Sequence, residues 1–151
     1  MNLSRKIAGN LLVAMLAPIF FKIGWIPVVF DAVFYNKYKY YDFQIDSLGV
    51  FLKHVYLETF IYEYLFAIII IFLPFQLIKD YLDRKSSVSF FRKMMLLSCI
   101  VAVAILLVGT FSNIWWIPWY ENFKYLVFSL GFGVLFSSIL DVVIDRHIEK
   151  S

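Results

Sequence analysis

Two charged residues stand where charge is expensive. Lys22 follows the uncharged run Ile7–Phe21, and Glu63 sits inside TFIYEYLFAI among apolar and aromatic side chains. An ammonium and a carboxylate at similar depth in a low-dielectric medium can form an ion pair at the mouth of a pathway, or a carboxylate that carries a proton. The plainer alternative is that Lys22 reaches the headgroups along its own methylene stem while Glu63 lies shallow. Asp141 and Asp145, four residues apart, share a helical face, which is the spacing of a metal or acid–base dyad. No cluster of further carboxylates or histidines supports such a dyad, and Arg146 and Lys150 stand at hand to neutralise both.

Other reactive types are sparse. His54 and His147 fall near helix ends on opposite sides of the expected membrane, too far apart to share a haem or a metal ion. Cys99 is the single cysteine, so neither an intrachain disulfide nor a multi-cysteine metal site can form. Gly131-Phe-Gly133 has no strand–turn–helix context and is not a phosphate loop. With no nucleophile–base pair in view, the expectation is a protein that is not an enzyme and holds no cofactor or metal.

What must position these residues is a set of membrane-length helices. Hydrophobic residues make up 62% of the 151-residue chain and charged residues 17%, against roughly 45–50% and 25% in soluble domains. A chain this short has too much surface to hide that much apolar side chain from water, and lipid as solvent removes the conflict. Its net charge of +3 is small and scattered, which argues against nucleic acid as a partner. The spacing of apolar runs predicts one polytopic domain over residues 1–151, all-α, a four-helix transmembrane bundle of two hairpins. Its helices are expected at about 3–24, 55–78, 90–111 and 123–144. Pro18 and Pro74 are expected to bend the first two, and Ser89 to cap the third.

Between the helices lie an outer loop at 25–54, an inner basic loop at 79–89 and an outer turn at 112–122. The inner loop belongs to the charged island Lys79–Lys93, KDYLDRKSSVSFFRK, which separates two uncharged runs. Basic loops stay in the cytoplasm, so both termini are expected inside. Nine of the fourteen Lys and Arg fall on that side: Arg5, Lys6, Lys79, Arg84, Lys85, Arg92, Lys93, Arg146 and Lys150. All the tryptophans (Trp25, Trp115, Trp116, Trp119) and every tyrosine but Tyr81 fall on the other. That asymmetry marks an aromatic-rich interfacial segment as the candidate outer recognition face: Trp25, Tyr40, Tyr41, Trp115, Trp116 and Trp119. Within it, Leu48, Phe51, Leu52 and Val55 keep helical spacing behind a cap at Asp46 or Ser47.

Ser129, Gly133 and Ser137 recur at four-residue spacing, a stripe of small residues that lets another helix approach closely. Asn10, inside the first apolar run, requires a hydrogen-bond partner on a neighbouring helix.

The gross architecture, with a short basic inner loop, aromatic outer loops and both termini inside, resembles that of the immunity proteins that guard bacterial inner membranes against pore-forming toxins. No motif carries the likeness. It implies a multi-pass protein of the bacterial inner (plasma) membrane, protective or accessory in role, that meets a membrane-protein or toxin partner within the lipid bilayer. The alternative is a small oligomeric transporter or channel subunit, self-associated, that uses Lys22 and Glu63.

Overall fold

The computed structural model describes residues 3–40, 45–111 and 118–146. Among these the chain is all-helical, with four runs long and apolar enough to cross a membrane: Ser4–Tyr35, Leu48–Asp83, Phe90–Gly109 and Asn122–Ile144. Helices satisfy every backbone group within the segment, which is what hydrocarbon demands.

The four prolines write the helix starts. Helix α1 (Leu3–Ala14) ends and α2 (Ala17–Phe21) begins with Pro18 in its first turn. The proline ring cannot coexist with the carbonyl four residues earlier, that of Ala14, so the helix breaks there instead of bending. A 3₁₀ turn, Lys22–Trp25, leads into α3 (Ile26–Tyr35), with Pro27 in its first turn. Helix α3 stops at Asn36, whose φ of 53° and ψ of 31° are left-handed, a conformation asparagine tolerates better than most residues. A second 3₁₀ turn spans Lys37–Tyr40. Ser47 then caps α4 (Leu48–Lys53), its hydroxyl accepting from the Val50 amide at 3.3 Å.

From α4 the helical run continues through a π turn (His54–Glu58), α5 (Thr59–Phe66), a second π turn (Ala67–Phe72) and α6 (Leu73–Asp83), with Pro74 in the first turn of α6. Pro74 leaves the carbonyl of Ile70 without its usual donor, and the wider turn just upstream absorbs the defect. Helix α7 (Phe90–Phe111) starts at Ser89, whose hydroxyl accepts from the Arg92 amide at 3.4 Å. Helix α8 (Trp119–Leu140) follows Pro118 and passes into a π turn, Asp141–Arg146.

The largest departure from the sequence-based expectation is at 25–54. Within the stretch expected as outer loop, 26–35 is helical, and the helical turn expected behind Ser47 forms over 48–53, so the first run extends to Tyr35 and the second starts at Leu48 instead of 55. Hydropathy locates only the hydrocarbon-length part of a helix. Pro27 and Ser47, both good helix starters, carry it further. At the other end α6 runs on to Asp83, so the basic connection is shorter than 79–89, and α8 starts at Trp119 inside the expected turn at 112–122.

The chain gathers into two compact units, Met1–Val13 with Ile68–Ser151, and Ala14–Ala67. In the first, α7 and α8 lie antiparallel, as the contact of Lys93 with Asp141 requires. Buried Phe72, Phe132 and Phe136 pack together, the last two stacked at 4.1 Å between ring centroids. Lipid offers helices no hydrophobic incentive to associate, so close fit must do it. The small-residue stripe supplies that fit: Ser129 and Ser137 are both 1% exposed. A Cβ on Gly133 would overlap the Ser98 hydroxyl and lie 2.9 Å from the Met94 carbonyl oxygen. The second unit has its own apolar core of Ala32, Ile45, Phe51 and Val55, flanked by Val28, Val29, Tyr38, Leu48 and Leu52.

Gly133→Ala is therefore expected to destabilise the α7–α8 pair by about 1–3 kcal/mol, the range for overpacking, in thermal or denaturant unfolding of the detergent-solubilised protein. Adding Ser98→Gly should return part of the loss, because the hydroxyl is removed while the Met94 carbonyl stays. An unchanged midpoint in Gly133→Ala would contradict the packing described.

Candidate functional site

The site is built from the residues that interrupt apolar helices. Lys22 opens the 3₁₀ turn forced by the Pro18 and Pro27 pair, and Thr59 and Glu63 lie one turn apart on α5. The Lys22 ammonium donates to Glu63 Oε1 and to Thr59 Oγ1, each at 2.5 Å. Thr59 in turn donates to the Val55 carbonyl at 2.8 Å. Side-chain exposure is 9% for Lys22 and 23% for Glu63, so the pair sits within the Ala14–Ala67 unit and not at its surface. Beside it Phe21 meets Phe66 edge-on at 6.5 Å. The second carboxylate oxygen, Oε2, is buried and accepts no hydrogen bond. An ion pair closed in this way holds two chain segments together, and its free oxygen leaves room for one further donor or a proton.

Three more lysines are paired, on the side of the charged island and all within the other unit. Lys6, 3% exposed, donates to Asp80 Oδ1. The same oxygen accepts from Gln76 Nε2 at 2.7 Å, and Asn10 Nδ2 donates to Gln76 Oε1 at 3.2 Å and to the Lys6 carbonyl at 3.1 Å. Asn10 thus has its cross-helix partner, although its own Oδ1 is buried without one. Lys79, 4% exposed, meets Asp83 at 3.2 Å, and Lys93 meets Asp141, also at 3.2 Å. Asp83 additionally accepts from the Val88 amide at 3.0 Å. Two of the island's three lysines are therefore matched inside the fold, while Arg84, Lys85 and Arg92 stay exposed. The Lys85 ammonium lies 4.7 Å from the Tyr81 ring centroid, within cation–π range.

Sequence reasoning missed Lys6, Gln76 and Asp80. Gln76–Asp80 and Lys79–Asp83 carried a local signal, a four-residue spacing on one helix. Lys6–Asp80 and Lys93–Asp141 did not, because no spacing joins residues so far apart in the chain. Asp141 is held by Lys93, while the side chains of Asp145, Arg146 and Lys150 lie outside the described residues. Among the described residues no three His, Cys, Asp or Glu side chains stand close enough to hold a metal ion. His54 pairs with Glu58 at 2.8 Å, and His147 lies outside the described residues.

The six outer aromatics are only partly visible. Trp25 is exposed. Tyr41, Trp115 and Trp116 lie outside the described residues, as do the side chains of Tyr40 and Trp119. The small-residue stripe of Ser129, Gly133 and Ser137 faces α7, as described above.

No protein-family model, curated protein or solved structure matches the chain.

Removing one partner of a buried ion pair leaves the other charge stranded. Allowing for the partial exposure of Glu63, Lys22→Met is expected to lower stability by about 2–4 kcal/mol. Lys22→Met combined with Glu63→Met should recover most of that loss. A double-mutant cycle in detergent measures the coupling, and additive single effects would contradict it.

Proposed function

We propose that this chain is a multi-pass protein of the bacterial cytoplasmic membrane, N- and C-termini inside, that acts without catalysis as a protective or accessory subunit. On this reading it binds another membrane protein, or a toxin, within the bilayer. The observation that carries the proposal is the second unit. Residues 26–35 and 48–53 form helices over their own apolar core of Ala32, Ile45, Phe51 and Val55. Phe30 and Phe34, packed at 4.4 Å between centroids, are turned outward, and Trp25 is exposed as well. A compact unit with projecting aromatics is the kind of surface from which binding hot spots are made. The orientation rests on the bias of basic residues toward the Lys79–Lys93 side.

One observation favours a second reading, an oligomeric transporter or channel subunit. Glu63 Oε2 is buried and unbonded, and a carboxylate in that state has capacity for a proton or a cation. Against it, Lys22, Lys6, Lys79 and Lys93 are each committed to a carboxylate of the same chain. No open ring of charge is left among them.

Photo-crosslinking residues at Phe30 and Phe34 test the choice in native membranes. The binding reading expects one discrete hetero-adduct at both positions, and reconstituted vesicles with no proton or cation flux above the lipid background. Homo-adducts only, with a flux abolished by Glu63→Gln, would overturn it in favour of the transporter.

A further inference from the structure

A groove of about 180 Å³ runs between the outer halves of α7 and α8. Its floor is made by two small residues, Ala102 and Ser129, and its walls by Ile105, Leu106, Tyr125 and Leu126. The Ser129 hydroxyl is turned to the Tyr125 carbonyl at 2.8 Å, so the groove meets only its methylene. The one amide that lines it is Asn122, at the upper end in the first turns of α8. Its Oδ1 is shielded from water and has no hydrogen-bond partner.

An unsatisfied amide oxygen shut away from water costs about 1–3 kcal/mol, more than most native folds leave unrelieved. Rotation about the last side-chain bond of asparagine is soft, so the oxygen can turn toward whatever fills the groove. The occupant must therefore be apolar along the groove and bring a hydrogen-bond donor to its top. From Asn122 to Ser129 is roughly 10 Å at 1.5 Å per residue, about two-thirds of the hydrocarbon depth of one leaflet, which is about 15 Å. A partner helix, about 10–12 Å across, is too wide for so small a trough.

From this geometry we infer a lipid site: the α7–α8 groove takes one acyl chain of a glycerophospholipid whose headgroup carries N–H or O–H donors. Asn122 accepts from that headgroup. The chain supplies the apolar contact, and the headgroup supplies the donor that the fold lacks. The site does not depend on the identity of any protein partner, since it requires only that α7 and α8 face lipid.

Phosphatidylethanolamine and phosphatidylcholine with identical chains differ at the group that matters, because the choline nitrogen has no hydrogen to donate. The full chain is reconstituted in an equimolar mixture of the two, extracted gently, and its retained lipid is weighed by native mass spectrometry. One retained lipid is expected, with ethanolamine favoured about fivefold, the ratio for a hydrogen bond of about 1 kcal/mol. Asn122→Leu should keep a bound lipid and lose the preference. Ala102→Phe, which fills the floor, should reduce retention of both lipids while the helical circular dichroism spectrum is unchanged. Equal retention by the wild type, a preference that survives Asn122→Leu, or retention untouched by Ala102→Phe would each overturn the assignment.

Discussion

The structure depends on one constraint: a charge buried among apolar helices must find its opposite within the chain. Lys22 is the sharpest case. Its ammonium is nearly buried, and it is held by Glu63 and Thr59, side chains one turn apart on the same helix. In water such a pair is worth little, but in a low-dielectric site leaving either member alone is costly. The pair therefore fixes where the turn after α2 meets α5. The arrangement of the Ala14–Ala67 unit follows from that contact.

Irregular helices are the means by which the partners are brought together. An unbroken α-helix repeats a face every three or four residues, and a π turn adds a residue and rotates the face beyond it. The run from Leu48 to Asp83 contains two such turns, one directly before Thr59 and one directly before α6, which carries Gln76, Lys79 and Asp80. The run from Ser4 to Tyr35 is broken instead, at Pro18 and Pro27, just before and after Lys22. These departures from regular helix lie next to the residues that must be aimed. The same logic accounts for the close approach of α7 and α8, where Gly133 removes the side chain that Ser98 and the Met94 carbonyl would strike.

Much of this was legible in the residues. Four uncharged runs located four membrane-length helices, because apolar length is a direct physical requirement of crossing hydrocarbon. Isolated charges in those runs made Lys22 and Glu63 visible as a possible pair, and Asn10 as a residue in need of a partner. Of the stretch at 25–54 only the helical turn behind Ser47 was legible; the helix at 26–35 was read as loop because Asp31, Lys37 and Lys39 interrupt its hydropathy. Helix signals were present in Pro27 and Ser47, but they mark starts and not lengths. The inner pairs were hidden for the opposite reason. Lys6, Lys79 and Lys93 sit in segments already charged, where a solvated turn explains them equally well, and their aspartates come mostly from distant sequence. No local pattern announces a π turn, so the aim of the helices beyond Phe66 could not be read in advance.

The central claim is that Ala14–Ala67 is a folded body organised about the Lys22–Glu63 pair, not a loose stretch resting on lipid headgroups. Backbone hydrogen exchange, followed by mass spectrometry on the protein in lipid nanodiscs, addresses it directly. The account predicts that amides of α3, α4 and the following π turn exchange slowly, with protection approaching that of α7, because their hydrogen bonds lie over a packed core. Exchange of those amides within seconds, alongside a protected α7, would contradict it.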